Sequence, residues 1–372
     1  MDKIKKINRN TIISQYEECV KIDEEVTLES EITGRIIELS ENEATIYIRS
    51  NRGLSKNSNV FFTNKLAITN LPKINPLERK PPNEIIHTGI SAIDLLVTVV
   101  KGQKLPIFTS SGINVNDLLY QLITQVNIPN IVFIGLGITK QDELFFRQNL
   151  RKAHLFINKA TDSASERLLL PNKALSEAEK ISETEDVLVI IKDMTNYCNS
   201  LREFSLEMGE LPSRKGYPSY MYSNLARIYE RAGTFKNRKG SLTLIPIVTM
   251  PNDDISHPIP DLTGFITEGQ IVLKKGLPYP FVDPLPSLSR LMKDVIKKEH
   301  AEISNRLFAA YSKVHEIRDL AYIVGEEALT EDDKKYLEFG QKFEKSFLAQ
   351  EEYESRTLKE SLTIAKGLLG IL

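Results

Sequence analysis

The chain has 372 residues, of which 41% are hydrophobic and 26% charged, and its formal net charge is −2 at pH 7. This composition is typical of a soluble globular protein, and the length predicts two or three domains. The near-neutral charge excludes the overall basic field that attracts a protein to nucleic acid or anionic lipid.

Signals for export, membrane insertion or disulfide formation are missing from the sequence. The basic amino terminus is followed by acidic residues rather than by an apolar stretch, so it does not have the pattern of a signal peptide. The apolar runs are shorter than the about 20 residues of a membrane span. Cys19 and Cys198 lie far apart and give no disulfide framework, which suits a reducing compartment. We therefore expect an intracellular protein that meets a membrane only through partners.

The first part of the chain has the pattern of a small all-β domain. β-branched and aromatic runs of strand length alternate with polar turns, which predicts a barrel or sandwich over residues 1–71. The proline-rich segment Leu71–Pro82 follows, and because proline disfavours both helix and sheet we predict a linker there. The candidate strands cover residues 26–28, 32–39, 44–48, 60–62 and 66–69.

From Ile85 to about Ser289 apolar strands alternate with amphipathic helices. Continuous apolar runs such as Val187–Ile191 indicate strands buried on both faces, as in a parallel sheet covered by helices. We assign this α/β domain to residues 72–290. Its predicted strands are 105–108, 131–136, 154–157, 187–191, 242–248 and 270–273, and its predicted helices lie near 140–150, 173–182, 196–209 and 219–231.

The strands stop after Arg290, and residues 291–372 predict a small helical domain. Apolar residues there recur at helical spacing, and Thr330 precedes three acids in the manner of a helix start. The positions that carry the helical spacing are Ile303, Leu307, Ala310, Tyr311, Tyr336, Leu337, Phe339, Phe343 and Phe347.

One segment of the α/β domain has the layout of a phosphate cradle. Residues 105–108 predict a strand, Thr109–Asn114 a turn of small residues, and the apolar stripe at 115, 118, 119, 122 and 123 a helix. A working P-loop reads GxxxxGK[ST], but no lysine follows Gly112 before Lys140. The sequence therefore predicts a degenerate P-loop that keeps the shape without the charge. Its residues are Ser110, Ser111, Gly112 and Asn114.

Two strand ends bear on the chemistry of such a fold. Asp193 follows a buried strand, where an acid can orient magnesium; read alone, an Asp that caps the next helix is favoured at roughly two to one. The strand that begins at Ile131 ends near Ile138, where an ATP-hydrolysing protein needs a carboxylate. The first acids after it, Asp142 and Glu143, fall on the following helix.

The loop from Thr249 to Leu262 concentrates acids, a histidine and prolines. Asp253, Asp254, His257 and Asp261 could supply metal ligands, but their spacing matches no metal signature. A structural or interface role is favoured, and we predict no metal site.

Arg290 ends the sequence Pro286-Ser287-Leu288-Ser289-Arg290 at the junction with the helical domain. An arginine can stabilise charge on a transferring phosphoryl group in a neighbouring protomer, although on the residues alone an ion-paired surface arginine is the better interpretation. The aromatic cluster Tyr217–Tyr222 lacks interleaved basic residues and favours packing or an interface over base stacking.

Seven longer segments of the sequence together resemble one protein family; they are His87–Leu96, Gly102–Phe108, Gly216–Tyr222, Ile228–Gly233, Met250–Ile271, Leu285–Met292 and Val324–Asp333. They resemble the B subunit of the vacuolar-type rotary ATPases, and more its eukaryotic branch than its prokaryotic one. The resemblance extends over about residues 84–360. It implies an N-terminal β-barrel, a central P-loop NTPase-like (RecA-like) domain and a C-terminal helical domain.

The resemblance also implies a role within a complex. In this family the B subunit is non-catalytic; it alternates with the catalytic A subunit in a hexameric ring that contacts central and peripheral stalk subunits. ATP or ADP with magnesium lies at the interface with the A subunit, and this chain would not bind the nucleotide independently. Arg290 would reach that nucleotide in trans, with Ser287, Ser289 and Tyr222 supporting the interface. The complex would pump protons from the cytoplasmic face of a vacuolar or other endomembrane, touching lipid only through its integral sector.

Two alternatives remain open at this stage. An autonomous ATPase or hexameric nucleic-acid motor could use the same fold, but the sequence lacks both the lysine and the base that it needs. A divergent paralogue that acts as a scaffold outside the ring is compatible with loops that are shorter than is usual in the family.

Overall fold

The computed structural model describes residues 2–7, 11–16, 20–21, 24–29, 32–48, 53–66, 76–325, 327 and 329–372. In chain order the strands are β1 Asp2–Ile7, β2 Thr11–Gln15, β3 Glu24–Leu28, β4 Thr33–Leu39, β5 Glu43–Ile48, β6 Asn59–Leu66, β7 Arg79–Lys80, β8 Ile85–Ile86, β9 Val99–Val100, β10 Ile107–Thr109, β11 Asn130–Ile138, β12 His154–Lys159, β13 Val187–Lys192, β14 Gly233–Phe235, β15 Ser241–Thr249, β16 Gly269–Leu273 and β17 Val282–Ser289. The α-helices are α1 Ser91–Leu96, α2 Asn116–Gln125, α3 Lys140–Asn149, α4 Ala164–Ser182, α5 Met194–Glu207, α6 Met221–Tyr229, α7 Pro258–Ile266, α8 Lys298–Val324, α9 Glu331–Lys342 and α10 Leu358–Leu369.

The amino-terminal strands form a closed barrel in the order β1-β2-β5-β4-β3-β6. Side chains that alternate along the strands, such as Ile12, Val26, Ile36 and Ile46, are fully buried inside it. Closure leaves no free sheet edge, which explains how so small a domain sustains its own core. The predicted barrel is therefore confirmed, while residues 67–69 of the last candidate strand lie outside the described residues.

The central domain is built on a sheet of order β12-β11-β13-β15-β10-β16-β17. All neighbouring strands along this path are parallel except β16 and β17. One face packs against α2 and α3, and the other packs against α4 to α7. The buried runs of β13 and β15 follow from this double coverage, as the sequence predicted.

The carboxyl-terminal helices share the core of the first face. Leu307 and Tyr311 of α8 are buried in it, as are Phe339 and Phe343, whose rings stack with centroids 5.6 Å apart. Thr330 caps α9 in a capping box with Asp333, in agreement with the predicted helix start. None of the helices in the described parts of the chain is long and apolar enough to cross a membrane.

Proline misled the sequence-based prediction in two places. We expected a rigid loop through residue 262, but α7 begins at Pro258, because proline at the first helical position has the right φ and no N–H to satisfy. Strand β17 was not predicted, since it contains Pro284 and Pro286. It lies at the sheet edge, where a missing N–H is tolerated.

Part of the predicted linker belongs to the sheet of the central domain. Residues 71–75 lie outside the described residues, but Arg79 and Lys80 form β7, which pairs with β14 of the α/β domain. The Arg79 guanidinium donates to the carbonyl of Ala232 at 2.8 Å. The second half of the segment is thus attached to the central domain, because a basic side chain there finds backbone acceptors that composition alone does not reveal.

Candidate functional site

The cradle-like turn lies at the carboxyl end of β10, where ligands bind on parallel sheets. It leads into α2, whose stripe at 115, 118, 119, 122 and 123 is buried as predicted. Several backbone N–H groups of the turn and of the first residue of α2 already donate hydrogen bonds. The N–H of Ser110 donates to the Leu273 carbonyl at 3.3 Å, and that of Ile113 donates to the Ser110 carbonyl at 3.3 Å. The N–H of Asn116 donates to Asn114 Oδ1 at 3.1 Å.

The turn also receives an acidic side chain from the next loop. Ser111 N donates to Asp253 Oδ1 at 2.6 Å, and Ser111 Oγ donates to the carbonyl of Met250 at 3.3 Å. Gly112 has φ +83°, so its place in the left-handed region favours glycine. The residues that we predicted to form a degenerate P-loop therefore lie in a turn, and a carboxylate accepts from one of its backbone donors.

A cation that sequence reasoning missed lies beside this turn. Lys192, at the end of β13, donates to Asn116 Oδ1, and its Nζ lies 3.6 Å from Asp142 Oδ2 and 5.4 Å from the ring centroid of Phe146. Burial lowers the pKa of Lys192, and Asp142 opposes that shift. The only signal in the sequence is a lysine directly after a buried apolar run. These contacts hold the Lys192 ammonium between Asn116, Asp142 and Phe146.

Asp193 serves as a helix cap. Its Oδ1 accepts from Thr195 N at 2.8 Å at the start of α5, and its carboxylate also accepts from the hydroxyl of Thr249. Burial raises the pKa of this carboxyl group. The capping interpretation, favoured for this residue alone, agrees with these contacts. Ile138 is buried at the end of β11 and supplies no carboxylate.

The acids of the Thr249–Leu262 loop are held by neighbouring groups rather than converging on a metal position. Asp261 pairs with Arg214 at 2.8 Å and Asp254 with Lys215 at 3.2 Å, while His257 caps α7 through Nδ1. Among the described residues, no group of three or more His, Cys, Asp or Glu side chains could hold a metal ion. These contacts are compatible with the structural or interface role that we favoured for this loop.

Arg290 follows β17 directly and is exposed. Its backbone N–H donates to the carbonyl of Glu268 at 2.8 Å, and its Nη1 donates weakly to the carbonyl of Thr267 at 3.4 Å. The Glu268 carboxylate pairs with buried Lys104 at 2.7 Å. In the described part of the chain the Arg290 guanidinium pairs with no carboxylate. Its backbone is fixed while its charge remains accessible.

The residues proposed to support Arg290 differ in exposure. Ser287 is 4% exposed, and its hydroxyl donates to the carbonyl of Asp283 at 2.6 Å and accepts from Val272 N at 2.8 Å. Ser289 Oγ accepts from Gln103 Nε2 at 2.9 Å. Both hydroxyls thus hold β17 in place. Tyr222 on α6 is 47% exposed, and no described contact joins it to Arg290.

The turn and Arg290 lie at opposite ends of the sheet. Thr109 pairs with Leu273 at the carboxyl end of β16, whereas Ser289 pairs with Gly269 at its amino end. A Cβ at Gly269 would collide with the Leu288 carbonyl oxygen, so glycine is required for this approach. The chain therefore does not bring its arginine to its own cradle.

Two protein-family models match most of the chain. Residues 89–289 match the nucleotide-binding domain of the ATP synthase alpha/beta family, and residues 289–372 match the C-terminal domain of V and A type ATP synthase. The chain is 46% identical over 334 residues to the V-type ATP synthase beta chain of Halothermothrix orenii, covering 84% of this chain and 72% of that one.

The chain belongs to the B (beta) subunit family of V- and A-type ATP synthases.

Two further relatives of this B-subunit family member support the same family assignment. The B subunit of the A-type ATP synthase of Staphylothermus marinus is 49% identical over 323 residues, covering 80% of this chain and 69% of that one. The structure of the ATP synthase subunit NeqB from Nanoarchaeum equitans matches with a TM-score of 0.76 at 36% identity, covering 97% of this chain and 98% of that one. These relatives are archaeal and bacterial. They do not support our assignment to the eukaryotic branch or the vacuolar membrane that came with it.

One solved structure shares the fold at low identity. The assembled ATPase EscN of the enteropathogenic E. coli type III secretion system matches with a TM-score of 0.90 at 22% identity, covering 99% of this chain and all of that one. Barrel, parallel-sheet domain and helical domain are thus a common architecture, and this likeness concerns the fold alone.

Proposed function

We propose that this chain is the non-catalytic subunit of a rotary ATPase ring, where it alternates with a catalytic A subunit and contributes Arg290 in trans to the ATP sites. ATP or ADP with magnesium would lie at the interface with the A subunit, and hydrolysis there would turn a central stalk and drive proton transport. The complex would contact its membrane through an integral sector, with this chain on the cytoplasmic face alongside the stalk subunits.

The state of Arg290 carries the proposal. Its backbone is fixed at the sheet edge, yet its guanidinium is exposed and pairs with no carboxylate among the described residues. An arginine that stabilises a transferring phosphoryl group must remain free for that contact until the subunits meet. Arg290 follows the end of β17 that is remote from the turn Thr109–Asn114. This separation favours contact with a nucleotide that a neighbouring subunit holds.

The chain's own strand ends support the non-catalytic assignment. The turn lacks a lysine, Ile138 stands where a base is needed, and Lys192 is bound by Asn116 and Asp142. Asp193 accepts hydrogen bonds that cap α5. The carboxylate at the end of β13 is thus already bound within the chain. In this proposal the residues that bind magnesium therefore belong to the A subunit.

The test is ATP hydrolysis by the chain reconstituted with its catalytic partner. Arg290→Ala should lower turnover by about 10³-fold or more and leave ring assembly intact, since a trans arginine acts on the transition state. Arg290→Lys should recover little, because lysine cannot reproduce the planar fork of donors. Arg214→Ala, which removes an exposed arginine paired with Asp261, is the matched control and should hydrolyse normally.

Three outcomes would contradict the proposal. Near-normal turnover by assembled Arg290→Ala rings would remove the trans role. Failure of the chain to co-purify with any catalytic A subunit would favour a scaffold outside the ring, and hydrolysis by the isolated chain would favour an autonomous ATPase.

A further inference from the structure

The loop after β15 is fastened to the cradle-like turn by a short series of contacts. Met250 N donates to the Thr109 carbonyl at 2.9 Å, and the Met250 carbonyl accepts from Ser111 Oγ at 3.3 Å. Asn252 and Asp253 follow in the left-handed region, with φ +57° and +56°. This backbone path brings the Asp253 carboxylate to Ser111 N at 2.6 Å.

A backbone N–H of a phosphate cradle is the group that binds a phosphate oxygen. In this turn a carboxylate oxygen has taken that position on Ser111. The carboxylate of Asp253 pairs with no cation in the described structure, whereas that of the adjacent Asp254 is paired with Lys215. The turn therefore holds, where an anion would bind, a carboxylate that forms no ion pair among the described residues.

The rest of the turn has not lost its capacity for anions. Gly112 and Asn114 donate no backbone hydrogen bond in the described structure, so their N–H groups are available. Lys275, which forms no ion pair among the described residues, lies beside Gly112: a Cβ built there would be 3.5 Å from Lys275 Nζ. Two donors and a cation thus remain, and Asp253 opposes them.

We propose that Asp253 determines that this chain's own cradle rejects phosphate, by satisfying the Ser111 N–H and by repelling an incoming anion. This inference rests on the proposed function, since it explains how a ring subunit that keeps the cradle's shape stays empty of nucleotide. It assigns the exclusion to a side chain that is present, in addition to the lysine that is missing.

The experiment measures binding of inorganic pyrophosphate and of ADP to the isolated full-length chain by isothermal titration calorimetry. Asp253→Asn keeps the acceptor and removes the charge, and Asn tolerates the left-handed conformation. Asp253→Gly removes both and suits the positive φ. The matched control is Asp254→Asn, which removes the neighbouring, ion-paired carboxylate. Circular dichroism and thermal melting establish that each variant is folded.

We expect no saturable binding by the wild-type chain or by Asp254→Asn. Asp253→Gly should gain affinity for pyrophosphate by about tenfold or more, the scale of one close like-charge contact near a protein surface. Asp253→Asn should gain less, because its amide still occupies Ser111 N. Adding Lys275→Ala to Asp253→Gly should abolish the gain.

Three results would overturn the inference: wild-type binding as tight as that of Asp253→Gly, no binding by any folded Asp253 variant, or an equal gain in Asp254→Asn. None of these results tests the trans role of Arg290, which is measured by ATP hydrolysis in the assembled ring. Failure of that role would leave the pyrophosphate measurement unchanged, so the two proposals fail separately.

Discussion

Arg231 is buried, with 3% of its surface exposed, in one of the segments that resembled the family most closely. Its guanidinium binds both carboxylate oxygens of Glu179, with Nε–Oε1 at 2.6 Å and Nη2–Oε2 at 2.8 Å. It also donates to the Ser176 hydroxyl at 2.9 Å and the Asn172 carbonyl at 3.2 Å. This arginine connects α4 to the end of α6 and is structural, in contrast to the exposed Arg290.

Removing Arg231 should destabilise the chain by about 3–5 kcal/mol, because Arg231→Ala leaves the Glu179 carboxylate buried without its partner. The double variant Arg231→Met, Glu179→Leu should lose much less, since neither charge is left unpaired. Urea unfolding of both variants measures this difference. Equal destabilisation of the single and double variants would show that packing, rather than the ion pair, accounts for the loss.

At the scale of elements, α2, α3 and β13 meet through one polar cluster. Asn116 Nδ2 donates to Asp142 Oδ1 at 2.6 Å, and Lys192 lies against both side chains. Burial alone would raise the pKa of Asp142, but the hydrogen bond from Asn116 and the charge of Lys192 outweigh it and lower that pKa. The carboxylate therefore stabilises the folded chain.

The sign of its pH dependence follows from that lowered pKa. The contribution of Asp142 is fully present above the ordinary Asp pKa of about 3.9 and is lost as the pH falls through the lower folded value. At pH 7 the free energy of unfolding of Asp142→Asn should therefore be lower than that of wild type by about 1 kcal/mol after solvent screening. This difference between the two proteins, the stability gap, should become smaller below pH 4.

Urea unfolding at several pH values measures this gap. Asp332→Asn is the control, because its carboxylate is 83% exposed in a surface pair with Lys335 and should change stability little at any pH. A gap between wild type and Asp142→Asn that is constant down to pH 3 would contradict the account.

The elements that the sequence predicted well were those decided by apolar periodicity. The strand–turn–helix of residues 105–125 was predictable because its apolar stripe has one solution, a helix packed on the sheet. Strand β17 and helix α7 were not, because proline usually breaks such elements and only their positions, an edge and a first turn, make it acceptable here.

Some features of the candidate site could likewise be predicted from the sequence, and others could not. Absence of the P-loop lysine could be read from the sequence, since it depends on one position after Gly112. The contacts of Asp253 with Ser111 and of Lys192 with Asp142 could not, because each joins residues far apart in the chain whose meeting depends on the sheet order. For the loop that holds Asp253 we considered metal binding and favoured a structural or interface role, but the sequence did not place its carboxylate beside Ser111.

At the scale of the whole molecule, the helical domain is fastened to the sheet domain around α1. Gln350 donates through Nε2 to the Gly89 carbonyl at 2.6 Å and accepts from Ser91 N at 3.1 Å. The Ser91 hydroxyl lies 2.9 Å from that of Ser361 on α10. These buried contacts make the junction specific, whereas the shared apolar core supplies most of its stability.

Gln350→Ala should lower the free energy of unfolding by about 1–3 kcal/mol, because it leaves the Ser91 N–H and Gly89 carbonyl buried without this partner. Gln341→Ala, an exposed glutamine on α9, should have little effect. Urea unfolding measures both, and hydrogen exchange of residues 89–96 should rise in the first variant only. Equal effects in the two variants would contradict a specific role for the junction.

The whole chain combines a retained cradle with an exposed arginine at the opposite end of its sheet. The most direct test is a structure of the nucleotide-bound ring that we propose this chain forms with a catalytic A subunit. We predict that the Arg290 guanidinium lies within hydrogen-bond distance of a phosphate of the nucleotide held by that partner, and that the turn Thr109–Asn114 holds none. A ring in which Arg290 faces away from every nucleotide, or in which that turn binds one, would contradict the account.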